Sequence, residues 1–260
     1  MAKSTAMIYQ ALAQLEHDNL PAVLCTVVQA RGSTPRHAAS KMIVYPDGSI
    51  RGTVGGGEME QRVITEALAS LHDGRTRLLE YQMSDPSRGD PGVCGGSVEV
   101  FVEPILPKPT LVVIGVGHVG KAVAHLAKWL GFRVVVNDDR PGFATPDAVP
   151  DADEYVACPM GELPSRVKIT SWHYFVLTTR GVNVDVAGLP ALLDTPAAYI
   201  GVIGSRRRWA TARQQLLELG VAPEKIARVQ SPIGLDIRAE TPEEIAVSIL
   251  GEIIGLRNTI

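Results

Sequence analysis

Residues 111–139 read LVVIGVGHVGKAVAHLAKWLGFRVVVNDD, and this stretch decides the fold. Leu111 to Ile114 is an apolar, β-branched run of the kind buried on both faces of a parallel sheet. Gly115, Gly117 and Gly120 follow in G-x-G-x-x-G spacing. A helical stretch, Lys121 to Leu130, sets Val123, Leu126, Ala127 and Leu130 on one face and stops at Gly131. A second strand, Phe132 to Val136, ends in Asn137, Asp138 and Asp139. In a strand–turn–helix–strand unit of this kind, Gly115 permits the sharp turn. Gly117 lets the backbone come close to a ligand, and Gly120 lets helix and strand pack tightly. The helix start offers unpaired N–H groups and a positive dipole end to a phosphate. Asp138 stands where such folds set a carboxylate against a ribose hydroxyl. His118 lies inside the turn, where it reads as a ligand contact or as a chance polar filler. The unit predicts a Rossmann-type domain but does not name its ligand, because one fold hosts many functions.

At 260 residues the chain has room for one large or two modest domains. Apolar content of 45% with 20% charged residues is that of an ordinary globular protein. A net charge of -3 argues against a general nucleic-acid surface and gives no sign of an anionic-membrane patch. No apolar run reaches the roughly 18 residues that span a bilayer. The first residues, MAKSTAMIYQALAQLEHDN, read as an amphipathic helix rather than a signal peptide. Cys25, Cys94 and Cys158 show neither a Cys-x-x-Cys pair nor disulfide or zinc spacing, so a reduced, cytoplasmic protein is expected.

Ahead of the Rossmann unit, residues 1–103 predict a smaller α+β domain. Ala22 to Gln29, Lys41 to Tyr45 and Ser49 to Val54 read as strands, the last two joined by a Pro46-Asp47-Gly48 turn. Gly55, Gly56 and Gly57 then lead into a helix from about Glu58 to Leu71. Three consecutive glycines read either as a tight turn or as a backbone cradle for an anionic or flat ligand. Arg31, Ser33, Thr34 and Arg36 form a polar loop that would supply charge-assisted bonds to phosphate in the second case. Strands from Thr76 to Gln82 and from Ser97 to Glu103 bracket a Gly/Pro-rich loop holding Cys94, which reads as a buried hydrophobe or as a reactive group.

Residues 104–110, PILPKPT, read as a stiff proline-rich linker, and residues 111–260 as the doubly wound parallel sheet. Within it Glu154 to Ala157, Trp172 to Thr178 and Ala198 to Ile203 are expected strands, with a short helix around 187–193. Gly204, Ser205 and Arg206 repeat the logic of the first turn, with a glycine, a hydroxyl cap and a cation at a helix start. Arginines in a first helical turn oppose the dipole, which favours a role for Arg206 over a merely solvated turn. Asp236, in the Pro232–Asp236 loop, is read as a ligand contact or an Asx turn. Thr241, Pro242 and Glu244 spell a capping box at the start of the final helix.

In their order these pieces resemble the xanthine dehydrogenase accessory factors of the XdhC/CoxI type. The resemblance rests on Arg31-Gly32-Ser33-Thr34-Pro35-Arg36, on Gly52-Thr53-Val54-Gly55-Gly56-Gly57 with Glu60, and on Cys94-Gly95-Gly96. It continues through Gly115–Gly120, Asp138-Asp139-Arg140-Pro141, Tyr199–Ser205, and Pro232–Ile237 leading into Glu240–Ala246. The resemblance implies a chaperone that binds and protects the molybdenum cofactor (molybdopterin). It further implies that the chaperone joins in the cofactor's sulfuration with a cysteine desulfurase and delivers it to a molybdenum hydroxylase. A homodimer is the family's expectation. Glu58 stands where many relatives carry Cys, and Thr179-Arg180-Gly181-Val182 where many carry His, so no metal-seeking or proton-relaying group is expected there.

Two other readings stand beside the carrier. One is an NAD(P)-dependent oxidoreductase, with Asp138 on the adenosine ribose and Arg140 on a 2′-phosphate. Against it, no acid–base pair for hydride transfer, no metal-ligand spacing and no Ser/His/Asp signature is evident. The other is a purely structural adaptor that leaves its glycine loops empty. For the carrier, the ligand is expected to lie between the two domains, with the three glycine corners as candidate cradles.

Overall fold

A computed structural model describes residues 2–83, 91 and 95–257. The chain folds as two compact units, Met1–Pro107 and Lys108–Ile260.

The first unit is built on an antiparallel sheet of order β3-β2-β1-β5-β4. Its strands are β1 (Ala22–Arg31), β2 (Lys41–Val44), β3 (Ile50–Gly52), β4 (Arg77–Gln82) and β5 (Ser97–Ile105). The two-residue period of a strand sends alternate side chains to opposite faces. Val23, Cys25 and Val27 of β1 therefore join Val98, Val100 and Val102 of β5 beneath Val63 and Ala67 of α2 (Gly57–Asp73). Ala22 of β1 and Ile43 of β2 face the other way, onto Ile8, Ala11 and Leu15 of α1 (Ala2–His17). Burial in this core pushes the Cys25 thiol up to about 12. The Pro46-Asp47-Gly48 turn closes the β2–β3 hairpin, its Asp47 carboxylate accepting from the Ser49 N–H and hydroxyl.

The second unit carries the doubly wound sheet. It contains β6 (Thr110–Ile114), β7 (Arg133–Asn137), β8 (Glu154–Val156), β9 (His173–Leu177), β10 (Tyr199–Val202) and β11 (Val229–Gln230), all parallel, in the order β11-β10-β9-β6-β7-β8. This is the strand order of a Rossmann sheet read from its far edge. Val113, Val134 and Val136 point to α3 (His118–Trp129) and α8 (Pro242–Arg257). Val112, Ile114, Val135, Phe175 and Leu177 point to the opposite layer, α5 (Val182–Leu193) and α6 (Arg206–Glu218). A sheet covered on both faces needs apolar residues at every strand position, which is why β6 and β9 are buried throughout.

Two boundaries differ from the sequence reading. Helix α5 begins at Val182, about five residues earlier than its pattern indicates, and holds Pro190 inside. Its opening, VNVDVAG, is β-branched with a glycine and has poor helical propensity. Burial of Asp185, Leu189, Leu192 and Leu193 on the α5–α6 side of the sheet overrides it. Strands also take both ends of the proline-rich stretch, since β5 runs through Pro104 and Ile105 and β6 opens at Thr110, leaving 106–109 between them. Two one-turn helices, α4 (Leu163–Arg166) and α7 (Pro223–Ile226), and the two-residue β11 carry too little periodicity to be read from sequence. Among the described residues, no helix is long and apolar enough to cross a membrane.

Candidate functional site

Strand β6 lies between β7 and β9, and the helices that follow β6 and β9 cover opposite faces of the sheet. The loops leaving these strands must therefore diverge, opening a crevice at their C-terminal ends. A cleft of about 130 Å³ occupies that place, lined by Gly115, Gly117, Asn137 to Arg140 and Thr178 to Arg180, with Met160 and Val184 beside them.

Two of the three glycines of the turn, Gly115 and Gly120, serve the turn and packing roles their spacing assigns. Gly115 has φ 91°, and a side chain there would press within 2.8 Å of the Thr178 carbonyl oxygen. A side chain at Gly120 would collide with the Gly115 carbonyl, so both positions are dictated by packing. Gly117 differs. Its φ of -73° suits any residue, and an added Cβ would meet nothing within 4 Å. It caps α3 with no side-chain acceptor, leaving the helix start open to the cleft.

Asp138 lines the cleft but is already engaged. Its Oδ2 accepts from the Val116 N–H at 2.9 Å and from Arg140 Nη2 at 2.8 Å, and its Oδ1 from Arg140 Nε at 2.8 Å and N–H at 3.0 Å. Burial alone would raise this carboxyl's pKa; the bonds from Arg140 and Val116 outweigh burial and hold it below the ordinary 3.8. Arg140 in turn lies 3.6 Å over the Phe143 ring. Asp139 pairs through both oxygens with Arg180 Nη1 and Nη2, at 2.7 and 2.8 Å. The charge of Arg180 reaches Arg140, though the Asp138 bonds outweigh it and hold the Arg140 pKa above its ordinary value.

A buried network holds the β9 side of the cleft. Thr178 Oγ1 donates to the Gly115 carbonyl at 2.5 Å. Thr179 Oγ1 donates to Asp185, whose side chain is fully buried, and Arg208 closes the triangle. Arg208 Nη2 reaches Asp185 Oδ2 at 2.7 Å and Thr179 Oγ1 at 2.7 Å, and both Arg208 Nη atoms donate to the Thr179 carbonyl at 3.2 Å. Arg208 crosses directly over Gly204, where a side chain would meet its Cδ at 2.7 Å. The Gly204 corner is thus filled from within. Ser205 caps α6 by accepting the Arg208 N–H, and Arg206 stands exposed in the first turn.

In the first unit the structure brings the other predicted elements together. Gly55 packs on Pro35, and Gly96 packs on the carbonyls of Arg31 and Ser33, so the 31–36 loop, the triple glycine and Gly95–Gly96 form one patch. Arg31, Ser33 and Arg36 are exposed on it. Gly56 and Gly57, at φ 81° and 62°, have open space beside them. Buried Glu60 reaches back to accept from Thr53 Oγ1 at 2.5 Å, the Val54 N–H at 3.1 Å and the Gly56 N–H at 3.2 Å. Part of this cradle is therefore taken by the chain's own carboxylate. Cys94 lies outside the described residues.

His118 and Asp236 do not join the cleft. His118 is exposed and lines a separate groove between α3 and α8 with Lys121 and His125, while Asp236 is exposed on the loop after β11. Sequence reasoning also missed Thr178, Thr179, Asp185 and Arg208, and treated Arg180 only as a departure from a family pattern. Two signals were available. Thr178-Thr179-Arg180 is a polar run directly after a buried strand, and Asp185 is a lone carboxylate inside an apolar helix.

The family model described as XdhC Rossmann domain matches residues 111–253, and the one described as XdhC and CoxI family matches residues 15–82. The chain is 39% identical over 253 residues to uncharacterized protein YqeB of Escherichia coli K12, covering 96% of this chain and 46% of that protein. It is 34% identical over 164 residues to a probable xanthine dehydrogenase subunit of Bacillus subtilis, covering 63% and 48%. It is 24% identical over 266 residues to molybdenum cofactor insertion chaperone PaoD of Escherichia coli K12, covering 91% and 83%. The chain spans about half the length of the first two relatives.

Proposed function

The chain belongs to the XdhC and CoxI family, and from that premise we propose that it is an accessory factor that binds the molybdenum cofactor and hands it to a molybdenum hydroxylase of the xanthine dehydrogenase or carbon monoxide dehydrogenase kind. In this reading it shields the cofactor, supports its sulfuration beside a cysteine desulfurase and inserts it into the client, working as a homodimer in the cytoplasm. The cofactor is cargo, and its phosphate is the group the cleft recognises.

One observation carries the proposal. At Gly117 the start of α3 opens on a cleft that two guanidinium groups, Arg140 and Arg180, also line. A helix start with open space beside it favours an anion, and Arg180, whose tie to Asp139 is the more exposed of the two arginine–carboxylate pairs, can turn to meet one. The relative named as a molybdenum cofactor insertion chaperone supports the identity of that anion. The relative named as a probable xanthine dehydrogenase subunit supports the class of client. Binding of NAD(P) is the weaker reading, because Asp138 would have to receive ribose hydroxyls while both its oxygens serve Val116 and Arg140.

The test is to purify the protein from cells that make the cofactor, oxidise it in acid and measure pterin fluorescence. Stoichiometric pterin is expected. Absence of pterin, together with no binding of added cofactor, removes the proposal; titration with both nicotinamide cofactors then decides the alternative.

A further inference from the structure

The cleft holds two arginines whose situations differ. Arg140 is locked: its guanidinium makes two bonds to an Asp138 carboxylate that is 1% exposed, and one face lies on Phe143. Arg180 is held by Asp139 alone among the described residues, and the two side chains are 50% and 34% exposed. Although bidentate, this exposed pair is a weaker tie than that of Arg140 to buried Asp138, since water compensates either partner on release.

The position of the weak pair matters. Asp139 follows β7 and Arg180 follows β9, while β6, with its glycine turn, runs between them. The Asp139–Arg180 bridge therefore crosses the C-terminal end of β6, at the mouth of the cleft. Only the side chain of Arg180 is loosely held. The preceding residue is pinned through its carbonyl and hydroxyl by Arg208 and Asp185, so Arg180 swings from a fixed backbone.

We propose that Arg180 is a ligand-binding residue held in reserve and that Asp139 is its internal competitor, so that an incoming phosphate takes the guanidinium from Asp139 and thereby opens the cleft. No bond is made or broken covalently: one charge-assisted pair replaces another. A phosphate's charge and three acceptor oxygens outcompete a single carboxylate for a planar fork of donors. Released Asp139 turns to solvent at little cost. A neutral molecule has no means of making this exchange, so the pair also selects for anions. The inference rests on the proposed reading of the cleft as an anion site.

Asp139→Asn and Arg180→Gln test it, because the competitor and the binder must have opposite effects. Equilibrium binding of inorganic pyrophosphate is measured by calorimetry for both variants and the parent, alongside the pterin each retains after purification from cofactor-making cells. Asp139→Asn is expected to tighten pyrophosphate binding about two- to fivefold, the range that loss of an exposed pair allows. Arg180→Gln is expected to weaken it about tenfold. Melting temperatures should match across the three, since both side chains are exposed. Asp139→Asn binding no tighter than the parent, or weakening along with Arg180→Gln, overturns the competitor role. If the parent retains pterin in that case, the carrier reading stands without the competitor. A parent that retains no pterin and binds no pyrophosphate loses both.

Discussion

The carboxylate of Asp138 accepts the backbone N–H of Val116 at 2.9 Å, reaching from the end of β7 into the glycine turn twenty-two residues earlier. With Arg140 on its remaining lone pairs, this one side chain fixes the turn, the β7 loop and one wall of the cleft in a single arrangement. Asp138→Ala leaves the buried Val116 N–H without its acceptor and frees Arg140. We expect a loss of about 2 to 3 kcal/mol in stability by urea unfolding, mostly from the unsatisfied donor. A loss below about 0.5 kcal/mol, the scatter of ordinary surface changes, would show that the turn holds itself.

The three glycines of the turn should separate into fold and ligand positions. Gly120→Ala and Gly115→Ala force a side chain onto backbone oxygens, and Gly115 also sits at positive φ. Each is expected to cost about 1 to 3 kcal/mol, as overpacking does. Gly117→Ala meets neither obstacle. Its stability should stay within about 0.5 kcal/mol of the parent while pterin retention falls. Thermal melts paired with pterin content distinguish the two groups.

Arg208 and Asp185 should behave as one unit. Removing Arg208 strands a fully buried carboxylate, so Arg208→Ala is expected to cost about 3 kcal/mol. Asp185→Ala combined with Arg208→Ala removes both charges and should cost clearly less than the sum of the single changes. Additive losses in a double-mutant cycle would show that the two side chains act separately.

Acid should weaken the fold in two stages. Burial holds the His173 pKa below its usual 6.5, so the fold favours the neutral ring, whose Nδ1 accepts the Thr170 N–H at 3.1 Å. Its contribution is complete above pH 6.5 and drains away as pH falls below that value. The lowered carboxyls of Asp138 and Asp153 contribute fully above 3.8 and lose their share as pH drops beneath it. Denaturant unfolding across this range should show both declines, and His173→Gln should abolish only the first.

Much of the fold was legible because its signals are local. The capping box at α8 is present as read: the Glu244 N–H donates to Thr241 Oγ1 at 3.2 Å, and Glu244 accepts from the Thr241 N–H at 3.1 Å. The Pro46–Gly48 hairpin and the alternation of strand and helix from β6 onward follow equally from short-range pattern. The start of α5 was hidden because its helicity comes from the layer it packs against and not from its own residues.

The sequence by itself determined the glycine turn, the parallel Rossmann sheet and the anion-favouring start of α3, since steric and dipole effects over a few neighbouring residues suffice for each. Which charges remain available to a ligand was decided only by the tertiary structure. Arg208 rather than Arg206 enters the buried network, Asp138 spends its oxygens on Val116 and Arg140, and Arg180 meets Asp139 across forty-one residues. Parallel strands are joined by long crossovers, so the loops at their C-terminal ends come from distant parts of the chain. The pairing of their charges exists only once the sheet has formed.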